Sequence, residues 1–515
     1  MRCPTTILCV WTTVSWAATP ASAGTPRADR PVLLCDKTMI ASIEGPAVLR
    51  PEPLRRGIES GLPVSRGTLP TVLRPDAKTW LHYAYLPLKT VPGASGRESV
   101  ALSVSADGLT WTFTGEGVLK LPAEVVGSFT PLLDQRPDAP AARRFKALAR
   151  SKDGELLALA SADGKAWAVI APAAKPALDA EAFYGRNGAF WYAPEQCYVA
   201  FVSQQHGGRR VICRMTSKDF VAWSRPEPLK LNLDGEDLWS AAVFSVVSSP
   251  PLLVGLLTRT PAGAVAPADV CLATSRDGGR TFERRSPEAW VRPPDAGTTW
   301  QAMAASSFFP IRRQRAIGPV GEWAFHVGGR RYELFANRFV GVEAAPLTPV
   351  DPDTGRGGSQ PAVIVTRPFV VTGNALEFNA STDSTGGFRC EILDQSGQVI
   401  PGYARTDCIR ARGISGGYIW VQPDNMAEGM RAFKRPIAGD LFGDGAAMRP
   451  GWRYKKQRPP HNDTMQQLWP DWDIGELKGR TVRLRILAHG TDLFSFVTAD
   501  REPVAGEVIP IPTQE

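Results

Sequence analysis

The sequence predicts an all-β protein in which a five-bladed β-propeller precedes a β-sandwich. Three observations carry that expectation. A turn motif returns four times at nearly constant spacing, short β-rich runs fill the intervals, and no stretch sustains the 3.6-residue apolar rhythm of a long amphipathic helix.

The motif reads SADGLTW at 105–111, SADGKAW at 161–167, SKDFVAW at 217–223 and SRDGGRTF at 275–282, with serines 56, 56 and 58 positions apart. Serine and aspartate side chains bond to nearby backbone groups, glycine takes the positive φ angle, and the closing Trp or Phe packs against the sheet. A four-stranded antiparallel sheet repeated about an axis fits a period of this length. Asp107, Asp163, Asp219 and Asp277 invite a catalytic reading because they recur, but turn chemistry alone accounts for them.

The intervals hold strands such as TWLHYAYL at 79–86, CYVAFV at 197–202 and PLLVGLL at 251–257. Four motifs mark four blades, and residues 298–339 supply strands for a fifth without one. VLL at 32–34 is expected to close the ring, and six blades is the alternative count. The propeller is placed at 31–345. A linker rich in Pro, Gly and Asp follows at 346–361. VIVTRPFVV, ALEFNAST, FRCEILD, TVRLRILA and LFSFVTA then read as strands of a sandwich over 362–505, interrupted by a polar insertion at 422–473.

A chain of 515 residues exceeds one ordinary core. Its 43% hydrophobic and 21% charged residues mark it as globular. The start reads as a signal peptide over 1–23: Arg2, a mostly apolar run at 6–18, and the small residues Ala21-Ser22-Ala23 before Gly24. Its removal takes away one charge, Arg2, and lowers the formal net charge from +8 to about +7. The expected location is secreted or periplasmic. No later apolar run reaches the roughly 20 residues of a membrane span. The basic residues form no stripe and accompany no nucleic-acid motif, so nucleic acid is not an expected partner.

Six cysteines follow the signal: Cys35, Cys197, Cys213, Cys271, Cys390 and Cys408. Their pairing is open from sequence, although Cys197 and Cys213 flank a hairpin turn and are placed to face each other across it. No CxxC pair or HExxH is present, and no metal or other cofactor is expected. GDLFGDG at 439–445 resembles half of a calcium loop, but a third oxygen ligand and the downstream glutamate are missing.

The fourth motif fits the full S-x-D-x-G-x-T-W/F pattern of the Asp box found in sialidases and related propellers. Longer segments extend the likeness. They are VLLCDKTMI (32–40), LLDQRPDAPAARRFKALA (132–149), AFWYAPEQCYVAFV (189–202), RMTSKDFVAWSRPEPL (214–229), FRCEILDQSGQVIPGYARTDC (388–408) and GELKGRTVRLRILAHGTDLFSF (475–496). Together they resemble bacterial secreted proteins described as sialidase-like or glycosyl hydrolase-like, in which a propeller like those of invertases and arabinanases precedes a sandwich. The resemblance implies three carboxylates at an axial funnel: an aspartate nucleophile or base, an aspartate supporting the transition state, and a glutamate acid. Such chemistry needs two carboxyls about 5 to 9.5 Å apart on opposite sides of the scissile bond.

Asp36, Asp134 and Glu236 suit those positions as catalytic candidates, with Asp237 competing with Glu236. Each has a plainer reading: Asp36 as a strand cap, Asp134 as the start of a turn before Pro137, Glu236 as a loop residue. Arg186, Asn187, Trp239, Trp300 and Gln301 are candidate substrate-binding residues, since guanidinium and amide groups bind hydroxyls and tryptophan offers a flat face to a sugar. FYGRNGAF at 183–190 departs from the group, which carries an acidic residue before this strand; Tyr184 and Arg186 stand there instead.

The expected function is an exported, glycosidase-like protein acting on glycans through carboxylates at the propeller axis. A sialidase proper requires an arginine cluster and a tyrosine nucleophile beside a glutamate. The alternative is a non-catalytic carbohydrate-binding or surface scaffold protein with a degenerate hydrolase site. A calcium-dependent lactonase-type propeller is a third reading.

Overall fold

The computed structural model describes residues 14–15, 25–52, 68–86, 99–114, 118–172, 188–347, 360–405 and 474–500, apart from a few single positions, together with short strands at 58–59, 410–412, 420–422 and 465–467. These residues are nearly all strand, in a propeller-like arrangement. Among the described residues helix is confined to one turn, Trp300–Met303, and three 3-10 turns.

Five four-stranded antiparallel sheets follow one another along the chain. Sheet I is Thr68–Leu73, Trp80–Leu86, Ser99–Ser105 and Thr112–Phe113. Sheet II is Val125–Leu133, Phe145–Ser151, Leu156–Ser161 and Ala168–Pro172. Sheet III is Gly188–Tyr192, Cys197–His206, Arg209–Ser217 and Glu227–Pro228. Sheet IV is Glu236–Val246, Leu252–Pro261, Asp269–Ser275 and Glu283–Arg284. Sheet V takes Phe309–Arg315, Gly318–Val327 and Arg330–Phe335, and borrows its fourth strand, Ile58–Glu59, from before sheet I.

Middle strands lie between neighbouring sheets and are covered on both sides. Leu156–Ser161, LLALAS, is accordingly apolar without alternation and buried throughout. The first strands of sheets I and II, II and III, and III and IV touch one another, which makes them the inner strands.

Each seam between sheets has its own tie. Tyr83 donates to the Gly164 carbonyl at 2.8 Å from I to II. Lys146 donates to the Tyr198 hydroxyl at 2.6 Å between II and III. The Ser203 hydroxyl donates to the Leu238 carbonyl at 3.0 Å between III and IV. Trp290, just past sheet IV, stacks on Phe325 of V at 5.6 Å between ring centres. Arg331 of V reaches the Leu109 carbonyl of I at 3.3 Å.

The recurring motif is the turn from third to fourth strand in sheets I to IV. In the fourth copy Ser275 Oγ bonds Asp277 Oδ1 at 2.8 Å and accepts from Gly279 N at 2.9 Å. Asp277 also accepts from the backbone nitrogens of Arg280 and Thr281 and from Thr281 Oγ1 at 2.6 Å. Burial opposes ionisation of Asp277, but these donors hold its carboxyl below the ordinary aspartate value. In the third copy Phe220 occupies the glycine position at φ +73°, and its ring is fully buried against Tyr198 and Trp223. Asp277→Ala removes a charged acceptor of four hydrogen bonds and is expected to cost about 2 kcal/mol, read as a lowered urea midpoint. No change in the midpoint would mean that this turn does not depend on its carboxylate.

A second body joins twelve strands, seven of them along the path Val14–Ser15, Ile40–Glu44, Ala362–Thr366, Thr481–Ala499, Ala375–Leu393, Arg410–Arg412, Trp420–Gln422, and five pairing off it. Thr481–Ala499 alternates along its first half, with Val482, Leu484, Ile486 and Ala488 buried and Arg483 and Arg485 partly exposed, the pattern of a strand with one face on a core. That core gathers Phe369, Phe378, Phe388 and Phe496.

Three expectations need correction. Val32–Leu33 does not complete the ring; it pairs with Phe496 and Ser495 of the second body, and the strand that completes sheet V is Ile58–Glu59 beside Arg330 and Arg331. Ile40–Glu44, Ala47–Pro51 and Val340–Ala344, assigned to the propeller from sequence, also pair into the second body. Cys197 and Cys213 do not face each other: Val202 stands opposite Cys213, and all five described cysteines are buried. Cys408, GDLFGDG, most of the insertion and nearly all of the signal peptide and linker lie outside the described residues.

Candidate functional site at the starts of the inner strands

In an antiparallel four-stranded sheet the first and third strands run the same way. The motif turns, at the ends of third strands, therefore share one end of the arrangement with the ends of the inner strands. The starts of the inner strands form the opposite end.

Asp36 lies at the motif end, between sheet IV and the second body. Its Oδ2 accepts from Arg276 Nε at 2.7 Å, and its Oδ1 accepts from Thr38 N at 2.9 Å. Arg276 belongs to the fourth motif and also donates to the carbonyls of Pro250 and Leu33. Burial raises the Asp36 carboxyl, but Arg276 more than offsets it and holds the group below the ordinary range. The neighbouring Cys35 thiol, fully desolvated and beside that carboxylate, is pushed up to about 12.

Asp134 follows the last residue of the inner strand Val125–Leu133 and is at the motif end too. Its Oδ2 accepts from the Tyr198 hydroxyl at 2.7 Å and pairs with Lys146 Nζ at 3.1 Å, while Arg136 Nε contacts both carboxylate oxygens. Burial is again overcome, here by Tyr198 and Lys146, and the carboxyl lies below its ordinary value.

Glu236 begins the inner strand Glu236–Val246 and so lies at the opposite end. Its Oε1 accepts from Leu233 N at 2.8 Å and from Arg284, and its Oε2 from Arg259 Nη1 at 3.3 Å. A nine-residue inner strand at about 3.3 Å per residue puts on the order of 30 Å between the two ends. Glu236 and Asp134 thus occupy different ends, and each of the three carboxylates pairs with its own cations. The structure does not bring the three together.

What gathers around Glu236 is a rim. Asp237 accepts from Arg210 N at 3.0 Å and from Gly263 N at 2.8 Å, pinning the loops of sheets III and IV. The Trp239 ring lies between the Arg210 guanidinium, 4.4 Å from its centre, and Trp300, stacked at 4.8 Å and 8°. Its Nε1 donates to Thr260 Oγ1 at 2.8 Å. Both flat faces of Trp239 are therefore covered, and Trp300 is buried, so neither presents the open platform expected from sequence. Gln301, on the one-turn helix, is half-buried, and its amide has no hydrogen-bond partner among the described residues. Leu233 and Val265 are exposed on the same rim. Arg186, Asn187 and Tyr184 lie outside the described residues.

Sequence reasoning missed the cations. Arg259, Arg276, Arg284 and Lys146 come from other strands or from distant turns, and only the folded packing brings them to their carboxylates. Lys146 alone carried a local signal, a charge inside the otherwise apolar run FKALA.

No family model matches the sequence, and no curated protein matches it. Among solved structures the chain is similar to a thermostable family-43 glycoside hydrolase (13% identity, 55% of this chain and 94% of that one, TM-score 0.37). It is also similar to an endo-arabinase from Bacteroides thetaiotaomicron (12% identity, 53% and 95%, TM-score 0.33). A third is a fructofuranosidase from Schwanniomyces occidentalis complexed with fructosylnystose (10% identity, 87% and 96%, TM-score 0.35).

Proposed function

We propose that this chain is an exported glycan-binding protein built on a five-bladed propeller followed by a sandwich. In this reading the rim at the starts of the inner strands receives the sugar, and Asp36, Asp134 and Glu236 do not act together as a hydrolase. One observation carries it: each of these carboxylates is buried and neutralised by its own cations, and Glu236 lies at the opposite end of the inner strands from Asp36 and Asp134. A buried carboxylate paired in this way holds neighbouring sheets together and has no free lone pair directed at a substrate. Gln301 supplies an unengaged donor and acceptor at the rim, the equipment that orients a sugar hydroxyl.

The test is a glycan array with calorimetry on its hits, run beside a panel of aryl glycosides and polysaccharides. Binding without turnover is expected. Gln301→Ala is expected to weaken binding about five- to tenfold, the equivalent of one hydrogen bond.

A second reading, a glycosidase with Glu236 as one of its two carboxyls, is favoured by that residue's position at the start of an inner strand. Turnover that disappears in a folded Glu236→Gln variant would establish it and overturn the first.

A further inference from the structure

The seam between sheets V and I carries one polar tie, Arg331 to the Leu109 carbonyl, and also buries an imidazole. His326 of Gly318–Val327 is 1% exposed, and neither ring nitrogen has a hydrogen-bond partner among the described residues. It packs edge-on against His82 of Trp80–Leu86 at 5.4 Å and against Trp111 at 6.0 Å, and tilted on Phe309 at 5.2 Å. Trp111 closes the first motif, and its buried Nε1 also lacks a partner. An apolar cluster lies beside it: Trp80 meets Phe309, with Val72, Ile311 and Ala324 around them.

This seam is also where the chain closes on itself, with the two-residue strand Ile58–Glu59 pairing against Arg330 and Arg331. Among the described residues the charged and titratable groups around His326 are His82 from sheet I and Arg331 and Glu333 from sheet V. Arg331 is already committed to Glu333 at 2.7 Å and to the Leu109 carbonyl across the seam. A proton on His326 would find a dry pocket, a second imidazole and an arginine, with no acceptor directed at it.

We propose that the seam between the first and last sheets is an acid-sensitive opening, and that protonation of His326 parts the two sheets. Burial, His82 and Arg331 all act to hold this imidazole well below its ordinary value, so the closed seam binds fewer protons than the open one. Its stability is complete above the ordinary imidazole range, about pH 6.5, and falls as the pH drops below it, by up to about tenfold in the opening equilibrium per pH unit. An exported protein that enters an acidic medium would expose the strands of this seam while its other seams stay shut.

Hydrogen exchange of the full chain at pH 7.5 and 5.0, corrected for intrinsic rates, tests this. Peptides covering 80–86 and 318–327 are expected to lose at least tenfold more protection on acidification than those covering 145–151, 197–206 and 252–261. His326→Phe, which removes the titrating group and keeps a ring, is expected to abolish the difference. Equal loss in all sheets, or a folded variant that behaves as the parent, overturns the proposal. Should the variant not fold, the comparison between sheets in the parent chain decides by itself.

Discussion

Asp134→Ala is expected to destabilise the protein by about 3–5 kcal/mol, the cost of stripping one partner from a buried ion pair. The carboxylate is enclosed by Lys146, Tyr198 and Arg136, and the side chain of Lys146 is only 5% exposed. Without Asp134 the ammonium keeps the Tyr198 hydroxyl as an acceptor but loses its counter-charge, and the tie between sheets II and III goes with it. Urea unfolding at neutral pH reads the loss. A change within 0.5 kcal/mol, the scale of an ordinary surface substitution, would show that the cluster does not hold the seam. A glycosidase assignment for Asp134 predicts the reverse, lost turnover with stability kept, so the two readings separate in one variant.

Asp36→Ala is expected to cost a similar 3–5 kcal/mol by the same reasoning. Its partner Arg276 joins three parts of the molecule: the Cys35-Asp36 segment, the Ser248–Pro251 turn, and the motif of sheet IV. Its loss should loosen Val32–Leu33 from Phe496 and Ser495 and uncouple the second body from the five sheets. Two unfolding transitions in calorimetry, against one expected for the parent, would be the sign of it. A single transition at the parental temperature would contradict the assignment.

The two carboxyls also fix a pH window. Both lie below the ordinary aspartate value when folded. Their contribution is fully present above about pH 3.9 and is lost as pH falls through the lower folded values. This loss is separate from the His326 effect, which begins near pH 6.5. Acid unfolding should thus show a shallow phase confined to one seam and then a steep global one.

Much of the fold was legible because it is local. The motif turns are written in four consecutive side chains, and Ser105, Asp107 and Gly108 form the same hydrogen bonds wherever the sheet around them lies. Runs such as LLALAS show a strand buried on both faces without any knowledge of its neighbours. The fate of VLL at 32–34 was not legible: its composition suits an inner strand of the ring as well as an edge of the second body, and only pairing with Phe496 decides between them.

The candidate site divides in the same way. Sequence alone picked out Asp134 and Glu236 at the ends of inner strands, and offered Trp239 and Trp300 as candidate sugar-binding faces. Only the tertiary structure decided that Arg276, Lys146 and Arg259 reach Asp36, Asp134 and Glu236 and that the two tryptophans stack on each other. Turn and strand preferences act between residues a few positions apart, whereas Asp36 and Arg276 are 240 positions apart and meet only after two bodies have packed. The charge state of a carboxylate, and with it the choice between catalysis and structure, is set by that long-range packing.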